Sequence, residues 1–168
     1  MSPSAELIAA RGRERRVGSR ASSLFALVLT GPPGVGKTAV LTALADALEA
    51  DGVPYAAIKV EALAWACPGP DGERRRHHAK VVCGLHREAG HRLLLVADTI
   101  ETEAGLAALL DAVGAEQHLV VRLEAPTATL ARRLREREPE GWPNLPGLIE
   151  RSGSLRRTCP ACPAPTSS

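Results

Sequence analysis

A loop of eight residues, Gly31, Pro32, Pro33, Gly34, Val35, Gly36, Lys37 and Thr38, carries the strongest chemical signal in the chain. Its spacing is glycine, four residues, glycine, lysine, threonine. Glycine tolerates backbone angles that other residues resist, so main-chain N–H groups can turn inward around a phosphate. A lysine placed there reaches β- and γ-phosphates, and the hydroxyl that follows is a ligand for Mg²⁺. The expected ligands are therefore ATP and Mg²⁺, held by Lys37 and Thr38.

Magnesium held by a hydroxyl needs a second protein anchor, which a carboxylate at the end of a neighbouring apolar strand can supply. Asp98 closes the run LLLVAD and is the candidate metal residue; Glu101, three residues on, is the alternative. A strand-end aspartate also commonly caps the turn that follows it, so both readings of Asp98 stand.

Such a loop works only between a strand and a helix. Residues 24–30 form a short apolar run that suits a strand buried on both faces. After the loop, Val40, Leu41, Leu44 and Leu48 recur at helical spacing until Asp51-Gly52 stops them. A second strand is expected over 55–60, followed by the broken connector ALAWACPGPDG. A helix over 73–89 carries ERRRHH on its first turns and ends at Gly90. A third strand covers 93–97. Thr102 caps a helix in which Leu106, Leu109, Leu110 and Val113 share a face until Gly114. A fourth strand is expected over 118–123. Pro126 suits the first position of a final strong helix, which Pro139 stops.

Alternating strands and helices predict an α/β fold of three layers, a parallel sheet flanked by helices; the order expected for its strands is 2-3-1-4. Four strands are expected, the fifth missing, because beyond 140 only a weak helix around 145–151 can be read. The expected organisation is a mobile arm over 1–23 with at most one short helix near 5–15, a domain over 24–150, and an irregular, disordered tail over 151–168.

The bulk properties bound the function. At 168 residues the chain is long enough for one domain with a real core. Aromatics are only 2%, so that core must be built from Ala, Leu and Val. Basic and acidic residues, 21 against 19, nearly cancel, which argues against a nucleic-acid partner. No apolar run approaches the roughly 18 residues of a membrane span, and the arginine- and serine-rich start contains Glu6 and Glu14, unlike a transit peptide. The expected setting is cytoplasmic, with Cys67, Cys83, Cys159 and Cys162 as reduced thiols. No partner protein is legible.

The order from 24 to about 148 resembles the P-loop NTPase fold of small-molecule kinases: the gluconate, shikimate and adenylylsulfate kinases and chloramphenicol phosphotransferase. The stretches GPPGVGKT, GVPYAAIKVEALAWACPGP and VVRLEAPTATLARRLREREP together are similar to a group of actinobacterial ATP-binding proteins of that type. The resemblance implies transfer of the ATP γ-phosphate to a small hydroxylated acceptor. In such kinases an acidic residue just after the second strand faces the acceptor, and Glu61 occupies that place; a solvated strand-end carboxylate is the other reading. Lys59 departs from the pattern. Expected on the same strand face as Glu61, it either neutralises that carboxylate or holds an anionic acceptor.

The helix ARRLRERE is similar to a lid that closes arginines over the transferring phosphate. Arg133 and Arg137, one turn apart, are the candidates. Arg132 and Glu136 offer the plainer reading of a solvated face laced by an ion pair. The second functional reading is an ATP-binding module or slow ATPase without an acceptor. A GTPase switch is disfavoured because no NKxD-type motif is present, and an oligomeric motor because its small helical domain and sensor residues have no room.

Other groups carry weaker signals. His77, His78, Cys83, His86 and His91 lie near one another, but their spacing matches no familiar zinc site. Cys159 and Cys162 form a lone CPAC without a second pair. The run Glu73 to Arg76 is a solvated helix start or meets an anion, three cations being mildly unfavourable at that end of a helix. The closing segment RSGSLRRTCPACPAPTSS has no apolar period. It reads as a disordered tail or, in GC-rich codons, as the product of a shifted reading frame, which would leave the sheet with an exposed edge.

Overall fold

The structure, a computed structural model, describes residues 23–63 and 71–158. Its elements are β1 (Phe25–Thr30), α1 (Lys37–Ala50), β2 (Ala56–Lys59), one turn of 3-10 helix (Val60–Ala62), α2 (Gly72–Glu88), β3 (Leu93–Ala97), α3 (Glu103–Val113), β4 (Gln117–Arg122), α4 (Thr127–Arg137) and α5 (Leu145–Thr158). Among the described residues four strands form one parallel sheet in the order β2-β3-β1-β4. That is the order read from the sequence.

Successive residues of a strand point to opposite faces, so the continuous apolar runs serve two layers at once. Ala26, Val28, Leu94 and Val96 pack with Ala79 and Cys83 of α2 and with Leu109 and Val113 of α3. Leu29, Leu95 and Ala97 pack with Leu41 of α1 on the other side. β1 is central, its Leu29 standing in register with Ala97 of β3 and Val121 of β4. The end of β1, where the loop begins, therefore lies beside the end of β3, where Asp98 follows.

Local signals place the helix ends. Thr102 Oγ1 accepts from Gly105 N at 3.0 Å, and Gly114 closes α3 in the left-handed conformation. Asp71 caps α2 by accepting from Arg74 N at 2.8 Å, so the helix starts at Gly72, one residue before the expected Glu73. Pro126 is the cap of α4 and not its first helical residue. Glu138 is extended, as the residue before Pro139 must be.

Two expectations need correction. The strand expected over 55–60 stops at Lys59, and Glu61 lies in the 3-10 turn, so Lys59 and Glu61 are not neighbours on one strand face. The weak helix expected to end near 151 runs to Thr158, and its Ser152 and Leu155 are buried. Residues 151–155 lack an apolar period because one contact on that face is a hydroxyl. The short helix near 5–15, Cys67 in the connector and the Cys159–Cys162 pair lie outside the described residues. Within them, no helix is long and apolar enough to cross a membrane.

Candidate functional site

The three glycines of the loop act differently. Gly31 has φ 143°, and a Cβ there would stand 2.5 Å from the Leu123 carbonyl oxygen just after β4. Gly34, at φ 81°, would place a Cβ 3.0 Å from Leu134 Cγ of α4. These two let the loop press against its neighbours. Gly36 is the left-handed cap of α1 at φ 108°, lines the cleft, and would point a Cβ at open space. The first amides of α1, which have no partners within the helix, follow directly.

Lys37 is buried, and its ammonium is held from several sides. Nζ donates to the Gly31 carbonyl at 2.8 Å and to Thr99 Oγ1 at 2.7 Å, and lies 3.9 Å from the Glu61 carboxylate. The Thr99 hydroxyl in turn donates to Glu61 Oε1. Burial lowers the Lys37 pKa, while the Glu61 and Asp98 carboxylates pull it back up. Asp98 accepts from Thr99 N at 2.8 Å and is pushed up to about 6, first by burial and then by Glu61, against that hydrogen bond and the nearby cations Arg75 and Lys37.

A cleft of about 550 Å³ opens over the loop. Lys37, Thr38, Glu61, Arg133 and Arg137 all line it, so residues from α1, the 3-10 turn and α4, up to 100 positions apart, share one space. Lys59 and Arg75 line it too. Asp98 faces an adjoining cavity of about 310 Å³ that shares Arg75, Thr99 and Arg151 with the cleft.

The arginines of α4 have different partners. Arg133 Nη1 donates to the Val35 carbonyl of the loop at 3.1 Å. Arg137 stands at the rim, paired with Glu138 through Nε at 2.7 Å. Arg132 and Glu136 form the expected exposed pair at 2.9 Å.

Sequence reasoning missed Thr99, Arg151 and Ser152. Ser152 Oγ donates to the Pro33 carbonyl at 2.8 Å, tying α5 to the loop. Arg151 pairs with Glu101, which takes that carboxylate away from the Lys37 side. Thr99 could have been found from its place beside Asp98 at the end of β3. Nothing in the sequence announces Ser152 or Arg151, since their partners lie 119 and 50 residues away.

The groups present fit a magnesium nucleotide. A Cβ-free position faces the cleft at Gly36, with Lys37 and Thr38 beside it and the Asp98 carboxyl in the adjoining space. Asp98 and Thr38 are the metal-ligand candidates.

The family model for "ATPase family associated with various cellular activities (AAA)" matches residues 27–121. Among solved structures, a sugar kinase from Janibacter sp. HTCC2649 is 15% identical, with 86% of this chain and 82% of that chain covered and a TM-score of 0.61. A gluconokinase from Sinorhizobium meliloti 1021 is 18% identical over 80% and 79%, at 0.51. Chaetomium thermophilum Kti12, in complex with ADP-AlF3, is 18% identical over 75% and 79%, at 0.52. No protein of curated function matches the sequence. The structural likenesses show a shared P-loop fold.

Proposed function

The chain belongs to the ATPase family associated with various cellular activities (AAA), as an ATP-binding P-loop domain, and from that premise we propose that it transfers the γ-phosphate of ATP to a small hydroxylated acceptor. The observation that carries this reading is the convergence of Lys37, Glu61 and Arg133 on one cleft. A nucleotide binder alone needs the loop; an acidic group facing the same space is what an acceptor hydroxyl requires.

In this reading Lys37 and the first amides of α1 neutralise the β- and γ-phosphates. Thr38 and Asp98 would hold magnesium, which would supply further neutralisation of the phosphate charge. Glu61 orients the acceptor hydroxyl and takes its proton as the new oxygen–phosphorus bond forms and ADP leaves. Arg133 and Arg137 approach from α4 and offset the charge of the transferring group. The setting is cytoplasmic, where thiols such as Cys83 stay reduced.

A second reading has its own observation. Glu61 accepts from Thr99 and lies 3.9 Å from Lys37, contacts that draw the carboxylate toward the loop and away from an acceptor. A slow ATPase or regulatory ATP-binding module would be built that way.

Comparing Lys37→Ala with Glu61→Ala separates them. Nucleotide binding is read by titration, and phosphotransfer over nucleosides, sugars, shikimate-like acids and aminoglycoside- and chloramphenicol-type antibiotics. The kinase reading expects Lys37→Ala to abolish ATP binding and Glu61→Ala to keep binding but lose transfer. Unchanged turnover in Glu61→Ala on every acceptor would leave the ATPase reading standing.

A further inference from the structure

The cavity beside the loop cleft is lined by five charged side chains: Arg75 and Arg76 of α2, Asp98 after β3, Glu101 in the following loop, and Arg151 of α5. Three of them are engaged. Arg151 and Glu101 neutralise each other through a hydrogen-bonded ion pair, and Asp98 accepts from the Thr99 amide.

Arg75 and Arg76 are different. Both are half-buried, and among the described residues neither has a hydrogen-bonding or ion-pair partner, although the charge of Arg75 is felt at Asp98. A guanidinium carries five N–H donors in a fixed fork, so two of them lining a cavity and making no hydrogen bond there form an incomplete set. Arg76 lies back over Gly72, where a Cβ would stand 3.1 Å from its Nη1, and both residues line the same cavity. The groups that would complete this set are oxyanions, which arginine forks bind in pairs of parallel hydrogen bonds.

We propose that this cavity is the acceptor's binding site, and that the acceptor carries a carboxylate or phosphate ester beside its hydroxyl, held by Arg75 and Arg76. The inference rests on the phosphotransfer reading and narrows it to acidic acceptors. Thr99, shared by the cleft and the cavity, marks where the two ligands meet. The acceptor hydroxyl would lie there, between Glu61 on one side and the loop on the other.

The test uses the full chain with its loop saturated by a non-hydrolysable ATP analogue and Mg²⁺, so that added anions do not compete for Lys37. Glycerate, glycerol 3-phosphate and glycerol share a skeleton and differ only in the charged group; each is titrated calorimetrically, with chloride held constant. The proposal expects glycerate or glycerol 3-phosphate to bind, which also tells a carboxylate site from a phosphate site, and glycerol to give no signal. Arg76 lines this cavity and not the loop cleft, so Arg76→Gln should weaken the anion by about tenfold or more while analogue affinity stays within about twofold. Arg76→Lys, which keeps the charge without the fork, should fall between.

Equal binding of glycerol and its charged relatives, or anion affinity unchanged in Arg76→Gln, would overturn the proposal. So would failure of both anions to bind. The parent reading fails separately: an anion that binds through Arg76 but yields no phosphorylated product when ATP replaces the analogue leaves the site and removes the kinase. A chain that does not bind the analogue removes both.

Discussion

The ammonium of Lys37 and the hydroxyl of Thr99 lie 2.7 Å apart, and the same hydroxyl donates to Glu61. One threonine thus links Lys37, the candidate phosphate-binding cation, to Glu61, the acid proposed to face the acceptor. Thr99→Val keeps the shape and removes the link. We expect the nucleotide dissociation constant to stay within about twofold and phosphotransfer kcat to drop by about tenfold, the worth of one hydrogen bond to a charged group. Thr99→Ser should restore most of it. Equal losses in Thr99→Val and Thr99→Ser would show that the methyl group matters and the hydroxyl does not.

Asp98 makes the stability of the nucleotide-free protein depend on pH. Its carboxyl is raised from 3.8 to about 6, so between those values the folded protein holds a proton that the unfolded chain has released. Stability must then fall as pH rises through that window, by an amount on the order of 3 kcal/mol for this group alone. Urea unfolding between pH 4 and 7 in a chelator should show the slope. Asp98→Asn should flatten it, and a wild-type slope retained in that variant would assign the effect to another group.

Gly31 and Gly36 both have positive φ, yet their substitutions should differ. At Gly31 an alanine Cβ would meet the Leu123 carbonyl at 2.5 Å, a backbone atom that cannot swing aside. At Gly36 the added methyl meets nothing. Gly36→Ala should cost the conformational strain alone, about 1–3 kcal/mol, and Gly31→Ala distinctly more, read as a larger drop in Tm. Equal melting temperatures for the two would contradict the close approach to β4.

Ser152 anchors α5 to the loop through the Pro33 carbonyl. Ser152→Ala should lower stability by roughly 1 kcal/mol. It should also raise the nucleotide KM more than it lowers kcat, because the loop loses a support and the reacting groups remain. A truncation after residue 144 would remove the whole helix and should do more. If it left nucleotide affinity untouched, α5 would have no part in shaping the loop.

Cys83 is fully buried against β-sheet residues, and its thiol is pushed up to about 11. The thiolate is the reactive form, so peptide-level alkylation at pH 8 should leave Cys83 unlabelled in the folded protein and label it in urea. Rapid native labelling would mean that α2 opens readily from the sheet.

The sequence by itself determined the loop, the apolar strands and most helix ends, because each depends on residues close together. GPPGVGKT declares its conformation through its own glycines. Thr102, Gly114 and Pro139 likewise act within one turn of where they stand. Tertiary structure decided the rest. That Glu61 comes within 3.9 Å of Lys37, that Arg133 reaches the Val35 carbonyl, and that Ser152 reaches Pro33 are side-chain encounters across 24, 98 and 119 residues. No local pattern encodes a side chain's aim across that distance; it is set only when β1 and β3 lie side by side and α4 and α5 close over the loop between them.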